Sequence, residues 1–352
     1  MSPELLTIAV AMGEPLSGFD LSGRHYAGSS LAGGTFSKMR LSGTDLRDAD
    51  LREAVFDECD LRGALLSGAQ LRRAVFNRCE MDHVDLRRAN LHAATFNECG
   101  AAHAQCGEAW MSMAVVTKTR LDHANLAQAN LDAALFSGCS LVDVCADAAD
   151  WHQATVMECT LTHLSWSGAS LRRTIFVKTV LAGLSFAGLT LESCQFGAAD
   201  LRGADFGGNT LPRCNFQGAR LDGARFAGVT APMALFCEAQ GENVDFSGAR
   251  LRQSLFTGAV LPGSNFTGAD LWQTHFAGAD LARARMSGAE LSYADLSHAH
   301  LPDADLRDAI LFRTCLHGTR TDNAQMSDRA RALETDPERA QAEQWRPPAV
   351  SA

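Results

Sequence analysis

The sequence predicts an all-β fold in which the chain coils as a four-sided solenoid and ends in a short helical cap. Apolar residues recur every five positions from Leu21 to Leu316, and 31 of these 60 positions are Leu and 16 are Phe. Phe also recurs every 20 residues, as at Phe36, Phe56 and Phe76, so four units of five residues complete one turn. The phase has no insertion or deletion, and an unbroken short repeat of this kind is typical of a solenoid.

Each unit of five residues has the same internal pattern. If the recurring Leu or Phe is the central position i, position i−2 is small and apolar, and the outer position i−1 is polar, as in Ala49-Asp50-Leu51. Five residues advance an α-helix by about 500°, so the central residues would form no stripe on a helix. In an extended segment, positions i−2 and i face the same side. Gly, Asn, Asp and Ser after position i then supply a turn.

A second column of Phe lies ten residues out of phase with the first and indicates the opposite wall of the solenoid. Large side chains stacked on one another along the axis would fill the core of such a coil. The second column contains Phe186, Phe206, Phe226, Phe246 and Phe266.

The motif A-[D/N]-L-x-x, repeated in register from about Leu16 to Thr321, resembles the repeat of the pentapeptide-repeat family. The resemblance covers nearly 90% of the chain. It implies a right-handed quadrilateral β-helix. Because this scaffold carries many unrelated roles, the fold implies no single function.

The phase also predicts the domain boundaries. We predict an N-terminal cap segment over residues 1–15, a repeat domain over residues 16–326, and a C-terminal helical cap and tail over residues 327–352. The repeat weakens near Ala101, over residues 145–166 and over residues 229–244, but its phase continues. These segments are therefore interpreted as bulged or re-packed turns of one solenoid.

Both ends of a β-helix expose unpaired strand edges, which something must cover. At the C-terminus we predict a short helix over residues 327–333 and a second helix from Pro337 to about Trp345, with Asp336 in the N-cap region. Trp345 would either close the core or contact a second subunit. At the N-terminus the lid would be formed by the apolar residues Leu5, Leu6, Ile8 and Val10.

The sequence predicts no catalytic residue, no cofactor and no metal centre among its cysteines. It contains no G-x-S-x-G, H-E-x-x-H or glycine-rich phosphate loop, and a solenoid filled with Leu and Phe offers no cleft. The chain has 11 Cys but no C-x-x-C pair. Seven of them occupy position i−2, where Cys acts as a small apolar side chain. They are Cys59, Cys79, Cys99, Cys139, Cys159, Cys194 and Cys214.

One column of histidines leaves two interpretations open. His83, His103, His123 and His163 share one phase of the 20-residue period, with Asp143 in the gap between the last two. Neighbours would lie ~4.8 Å apart, close enough to share a transition metal or to titrate together. We favour the alternative, a solvent-facing column of polar residues, because a flat ladder rarely supplies three or four converging ligands.

An apolar column at the outer position gives candidates for protein interaction. One explanation for this column is structural, because β-branched pairs stabilise a flat sheet. The alternative is functional, because a long exposed apolar stripe can mark a docking face. Together with Trp345, the interaction candidates are Val55, Val75, Val115, Leu135 and Ile175.

Charge and hydropathy restrict the possible roles further. The chain carries 41 acidic and 31 basic side chains, a formal net charge of −10. No apolar run reaches the ~18 residues of a membrane span, and Leu5–Met12 lacks the basic flank of a secretory signal. We therefore expect a cytoplasmic protein, with leaderless secretion as an open alternative.

The resemblance implies two functions. Some pentapeptide-repeat proteins imitate DNA and bind gyrase, which protects against quinolones or toxins. Others are found as effectors or accessory proteins of bacterial type III and type VI secretion systems, and this chain resembles them. The repeat region carries 33 acidic and 27 basic residues, and this mixed surface imitates phosphate poorly. We therefore favour a protein-interaction scaffold of unknown partner, which could also form a homodimer, and do not expect nucleic acid to be the ligand.

Overall fold

The computed structural model describes residues 1–345, and its repeat follows the predicted phase. Nearly all central and inner side chains are buried along the coil, and most outer residues pair in parallel with the residue 20 positions later, as Asp45 does with Leu65. The N–H of Leu46 donates to the carbonyl of Leu65 at 2.7 Å, and the N–H of Leu65 donates to that of Thr44 at 2.9 Å. The predicted solenoid fold is confirmed, and its right-handed sense is the one that the family resemblance implies.

Each corner of the coil is a four-residue turn whose third residue is left-handed. The N–H of Ala49 donates to the carbonyl of Leu46 at 3.2 Å, while Asp48 has φ of 56°. A non-glycine residue in this region costs about 1–2 kcal/mol. The N–H of Asp48 also donates to the carbonyl of Ser67, 3.1 Å away in the next turn of the coil. This bond between turns compensates part of the strain.

Four walls follow one another around the coil, and we number them by their first central residues. Wall 1 begins at Leu16, wall 2 at Leu21, wall 3 at Tyr26 and wall 4 at Leu31. The chain divides into two compact units: the first contains Met1–Leu184 and Gly188–Ala199, and the second contains Ser185–Ala187 and the chain from Asp200 onward.

The first unit contains a parallel sheet of nine short strands, which all lie on wall 1 and each pair with the next in sequence order. Phe56 lies against Phe36 at 4.9 Å and against Phe76 at 5.0 Å between ring centroids, so the in-register strands stack their rings. The strands are β1 Leu16–Ser17, β2 Thr35–Ser37, β3 Val55–Asp57, β4 Val75–Asn77, β5 Thr95–Asn97, β6 Val115–Thr117, β7 Leu135–Ser137, β8 Thr155–Met157 and β9 Ile175–Val177.

Both predicted Phe columns contribute to the core of the second unit. Rings of one column stack in parallel, as Phe226 does on Phe206 at 4.8 Å. Rings of opposite columns meet edge to face, as Phe226 and Phe236 do at 5.5 Å and 87°. Both arrangements are preferred by aromatic pairs. The unit also contains strands β10 Asp305–Leu306 and β11 Gln325–Met326, which pair in parallel.

Helix α1, Pro3–Ala11, covers the N-terminal end of the first unit. The Ser2 side chain accepts a hydrogen bond from the N–H of Leu5, and Leu6 and Val10 are buried. Leu5 and Ile8, which we predicted as part of the lid, are instead exposed on the outer face of the helix.

The C-terminal end of the second unit carries a 3-10 helix, Arg329–Arg331, and helix α2, Pro337–Gln344. The first is shorter than the predicted helix, and the second begins at the predicted Pro, with Asp336 as its N-cap. Trp345 is 70% exposed, so it does not close the core. The predicted tail beyond Trp345 lies outside the described residues. Over the described range, the two α-helices are both too short to cross a lipid bilayer.

The segments where the repeat weakens are re-packed without a bulge. Ala101 and Cys106 remain buried, and the N–H of Ala101 still donates to the carbonyl of Arg120 at 2.8 Å. Gly241 takes the place of a central Leu, and the neighbouring turn lies so close that a Cβ on Gly241 would be 2.7 Å from the carbonyl carbon of Leu221.

Candidate protein-interaction surface

The inner positions have more than a packing role. The thiol of Cys59 donates to the carbonyl of Phe36 at 3.4 Å, and the hydroxyl of Thr179 donates to that of Val156 at 2.9 Å. Each bond reaches back to a central residue of the preceding turn of the coil. Cys and Thr at the inner position therefore fill the space there and also donate a hydrogen bond to a backbone carbonyl next to the core.

We expect the thiols to fall into two classes of reactivity. Eight cysteines are buried, and Cys145, Cys237 and Cys315 are half-buried. Burial raises the pKa of the Cys106 thiol to about 12, which removes the reactive thiolate. An aromatic disulfide reagent should therefore label at most three thiols in the native protein and all 11 in guanidinium. Rapid native labelling of more than three thiols would contradict the burial of the other eight.

The four histidines of the predicted column lie at corners of the first unit, where each has a left-handed backbone conformation with positive φ. Ring centroids are 4.7 Å apart for His83 and His103 and 4.8 Å apart for His103 and His123, with nearly parallel planes. The carboxylate of Asp143 lies 3.6 Å from Nδ1 of His123 and 3.2 Å from that of His163. Because lone pairs lie in the ring planes, parallel rings direct them side by side and do not converge on one ion.

The predicted apolar column on wall 1 consists of the outer residues of the strands. Val55, Val75, Val115, Leu135 and Ile175 are half-buried, and Val55 pairs in register with Val75. This arrangement matches the cross-strand pairs that stabilise a sheet. The role of these residues in docking stays a prediction.

The structure shows a different exposed surface, whose residues are not among the predicted interaction candidates. On wall 4 of the second unit, Tyr293, Ile310 and Phe312 are 46%, 42% and 39% exposed, respectively. Trp272 lies beside them and is half-buried. We call these four residues the aromatic face. Their numbers all fall in the outer and turn positions of wall 4, so sorting exposed positions by the 20-residue period would have found them.

Contacts between the side chains order the aromatic face. The rings of Trp272 and Tyr293 meet edge to face at 6.4 Å, and those of Tyr293 and Phe312 do so at 5.5 Å. The guanidinium of Arg252 lies 5.9 Å from the Trp272 ring, and that of Arg331 lies 5.3 Å from the Phe312 ring. Cation–π contacts at each end hold the rings in place while leaving them accessible.

A cluster at the C-terminal cap has the composition of a metal site. The carboxylate of Glu343 lies 3.3 Å from Nε2 of His298 and 3.1 Å from Nε2 of His317, and these are the only three such groups that converge within the described residues. The N–H of Asp336, however, donates to Nδ1 of His317 at 3.1 Å. Nε2 of His317 must then carry the proton and donate to Glu343. A metal-bound histidine instead donates through its other nitrogen, so this cluster does not fit a metal.

The same contacts attach helix α2 to the coil. Hydrogen bonding from His317, with smaller contributions from Arg339 and His298, lowers the pKa of Glu343 to about 2. A carboxyl with a lowered pKa stabilises the folded state above its unfolded pKa of about 4.3, and this contribution is lost as the pH falls towards 2.

We therefore expect Glu343→Gln to loosen helix α2 at neutral pH. Amide exchange of residues 337–344, measured by mass spectrometry, should become faster than in the unmodified protein. Acidification below about pH 4 should have the same effect after correction for intrinsic exchange. Glu338→Gln is the matched control because Glu338 lies on the same helix and is exposed. Equal exchange in both variants would show that Glu343 does not hold the helix.

Outer acids are neutralised by arginines two residues later. The carboxylate of Asp45 receives Nε of Arg47 at 2.8 Å and its Nη2 at 2.8 Å, a two-pronged ion pair. The Arg47 guanidinium lowers the pKa of Asp45 well below its usual range. The same triplet Asp-Leu-Arg is paired in this way at Asp50 and Arg52, Asp60 and Arg62, Asp85 and Arg87, Asp200 and Arg202, and Asp305 and Arg307.

Units coiled in this manner define a parallel β-helix built on repeats of five residues. A protein-family sequence model described as "Pentapeptide repeat region" matches residues 17–86. A second family model, described as "Pentapeptide repeats (8 copies)", matches residues 104–150 and, in overlapping segments, residues 190–328. The chain therefore belongs to the pentapeptide-repeat family, whose members are typically non-catalytic scaffolds. Among curated proteins, none matches the chain.

The chain is also similar to proteins of solved structure. QnrB1, described as a plasmid-mediated fluoroquinolone resistance protein, is 20% identical over 60% of this chain and 92% of its own, with a TM-score of 0.32. HetL, described as involved in heterocyst differentiation regulation in the cyanobacterium Nostoc sp. strain PCC 7120, is 23% identical over 89% of this chain and 96% of its own, with a TM-score of 0.19.

Proposed function

We propose that the protein is a non-enzymatic scaffold that binds a partner protein, as an effector or accessory protein of a bacterial type VI or type III secretion system. The aromatic face carries this proposal, because exposed Tyr and Phe beside Arg form the composition typical of interface hot spots. The secretion role is supported by the resemblance of the repeat sequence to such proteins. A cytoplasmic location is part of the proposal, with leaderless secretion as the alternative.

The arginine pairs support this function over DNA mimicry. A protein that imitates DNA needs a continuous track of uncompensated negative charge. Here the outer acids of several turns are bound by arginines, as Asp60 is by Arg62 at 2.7 Å and Asp200 is by Arg202 at 2.6 Å. We therefore expect no inhibition of gyrase supercoiling at micromolar protein. Inhibition that weakens in high salt would favour the gyrase-binding alternative.

Site-specific crosslinking in the native host tests the proposal. A photoreactive amino acid at Tyr293 should crosslink to a secretion component, identified by mass spectrometry. The same group at His25 on wall 3, which is also exposed, should not. Recovery of gyrase, or equal crosslinking from both positions, would contradict the proposal.

Self-association is a separate part of the proposal. A dimer could form through the C-terminal segment, where Trp345 is exposed, or through the apolar column on wall 1. Sedimentation of the full chain, of a truncation after Met326 and of a Val75→Lys, Leu135→Lys double variant distinguishes the two. A monomeric full-length chain would exclude both.

A further inference from the structure

The surroundings of the aromatic face carry more basic than acidic residues, although the whole chain carries a net charge of −10. On wall 4 from residue 250, and over residues 328–334, five arginines face four acids. They are Arg250, Arg252, Arg313, Arg329 and Arg331, against Asp270, Glu290, Asp328 and Glu334.

The four acids already have partners, whereas two of the arginines do not. Nε of Arg252 lies 2.6 Å from the carboxylate of Asp270, and Nε of Arg329 lies 2.8 Å from that of Glu334. Glu290 accepts from the N–H of Ser292 at 2.8 Å, and Asp328 accepts from the N–H of Leu311 at 3.1 Å. Within residues 1–345, no ion pair is formed by the exposed side chains of Arg250 and Arg313. The positive charge is therefore available to a ligand at both ends of the face.

A groove lies next to the rings. It has a volume of about 470 Å³ and is lined by Thr230, Pro232, Arg250, Arg252 and Asp270. A carboxylate in this groove would meet the guanidinium of Arg250, and Arg252 connects the groove to the ring of Trp272.

We propose that this groove and the aromatic face bind an acidic segment of the partner protein whose carboxylates alternate with apolar or aromatic side chains. This inference rests on the proposed function and adds the chemistry of the partner. From Arg252 to Arg331 the face crosses about four spacings of ~4.8 Å, so about six extended residues would cover it. Carboxylates would bind at Arg250 and Arg313, and apolar side chains would pack on the rings between them.

Two other ligands fit less well. Asp270 and Glu290 lie in register on adjacent turns beside Trp272 and Tyr293, where the phosphates of a single-stranded nucleic acid would have to pass. A second copy of this chain would bring the arginines of one face against those of the other, because a two-fold interface uses the same patch twice. A peptide with alternating side chains can place apolar groups beside Asp270 and Glu290 and its carboxylates at Arg250 and Arg313, whereas a nucleic acid carries a phosphate at every step.

Fluorescence anisotropy with designed peptides tests the inference. The probe is a labelled peptide of 12 residues in which Glu alternates with Phe and Leu, and its counterpart has Lys in place of Glu. We expect the acidic peptide to bind about tenfold or more tightly than the basic one, and more weakly in high salt. An Arg250→Glu, Arg313→Glu variant and a Tyr293→Ser, Phe312→Ser variant should each weaken binding about tenfold or more.

Controls separate this inference from the proposed function. An Arg283→Glu, Arg285→Glu variant changes the same charges on other walls and should leave binding unchanged. Equal binding of both peptides, tighter binding of a labelled oligonucleotide, or self-association abolished by the face variants would each overturn the inference. If crosslinking at Tyr293 still captures a secretion component while the acidic peptide fails, the function stands and the partner chemistry is wrong.

Discussion

Phe76→Asp is expected to unfold the repeat or to leave it only marginally stable. Phe76 is fully buried, and its ring lies 5.0 Å from that of Phe56 and 4.9 Å from that of Phe96. A carboxylate at this position would have no hydrogen-bond donor among stacked rings. The loss should exceed about 4 kcal/mol of the free energy of unfolding, measured by urea denaturation followed by circular dichroism.

Phe76→Leu is the matched control for this experiment. Leu occupies most other central positions of the chain, so it should fit the slot with a loss of about 1–2 kcal/mol. A soluble Phe76→Asp protein with the unfolding curve of the Leu variant would mean that the central side chains are not the core.

Gly241→Leu is expected to destabilise the protein, although the repeat pattern favours Leu at this position. A Cβ at residue 241 would lie 2.7 Å from the carbonyl carbon of Leu221 and 2.9 Å from the amide nitrogen of Asp222. Both atoms belong to the backbone, so a whole turn of the coil must move. Gly241→Ala should already lower the free energy of unfolding by about 1–3 kcal/mol, and Leu should lower it further.

Gly197→Ala provides the comparison, because a Cβ there meets no atom within 4 Å. It should change the free energy of unfolding by less than about 0.5 kcal/mol. If Gly241→Leu raises the melting temperature, the two turns have room to separate, and the close approach at Gly241 is not a constraint.

These two positions show what the sequence can predict about the fold. Phase decides which side of the backbone a side chain faces, so the burial of Phe76, the inner position of Cys59 and the ring stacks follow from counting alone. Phase contains no information about the distance between turns. The close approach at Gly241 depends on that distance, and a family pattern that favours Leu is misleading there.

The surface was less predictable than the core, for a similar reason. Val75 and Phe312 both lie outside the core. Val75 is half-buried because outer residues of the turns before and after flank it, whereas Phe312 occupies a turn position and is 39% exposed. Exposure at outward positions depends on the neighbours in the turns before and after. The bond from Asp336 to His317 likewise joins the cap to a corner that the repeat does not specify.

The 20-residue turn described above gives the second unit two different tolerances to changes in chain length. Removing five residues between Arg252 and Trp272 keeps every later central residue inside, because the unit of five is preserved. It also rotates Trp272, Tyr293 and Phe312 by one wall, away from Arg252 and its groove. Removing 20 residues keeps both the core and the alignment of the wall. Related proteins whose function depends on one wall should therefore differ in length by whole turns of 20 residues. Related proteins that need only the solenoid itself can differ by single repeats of five.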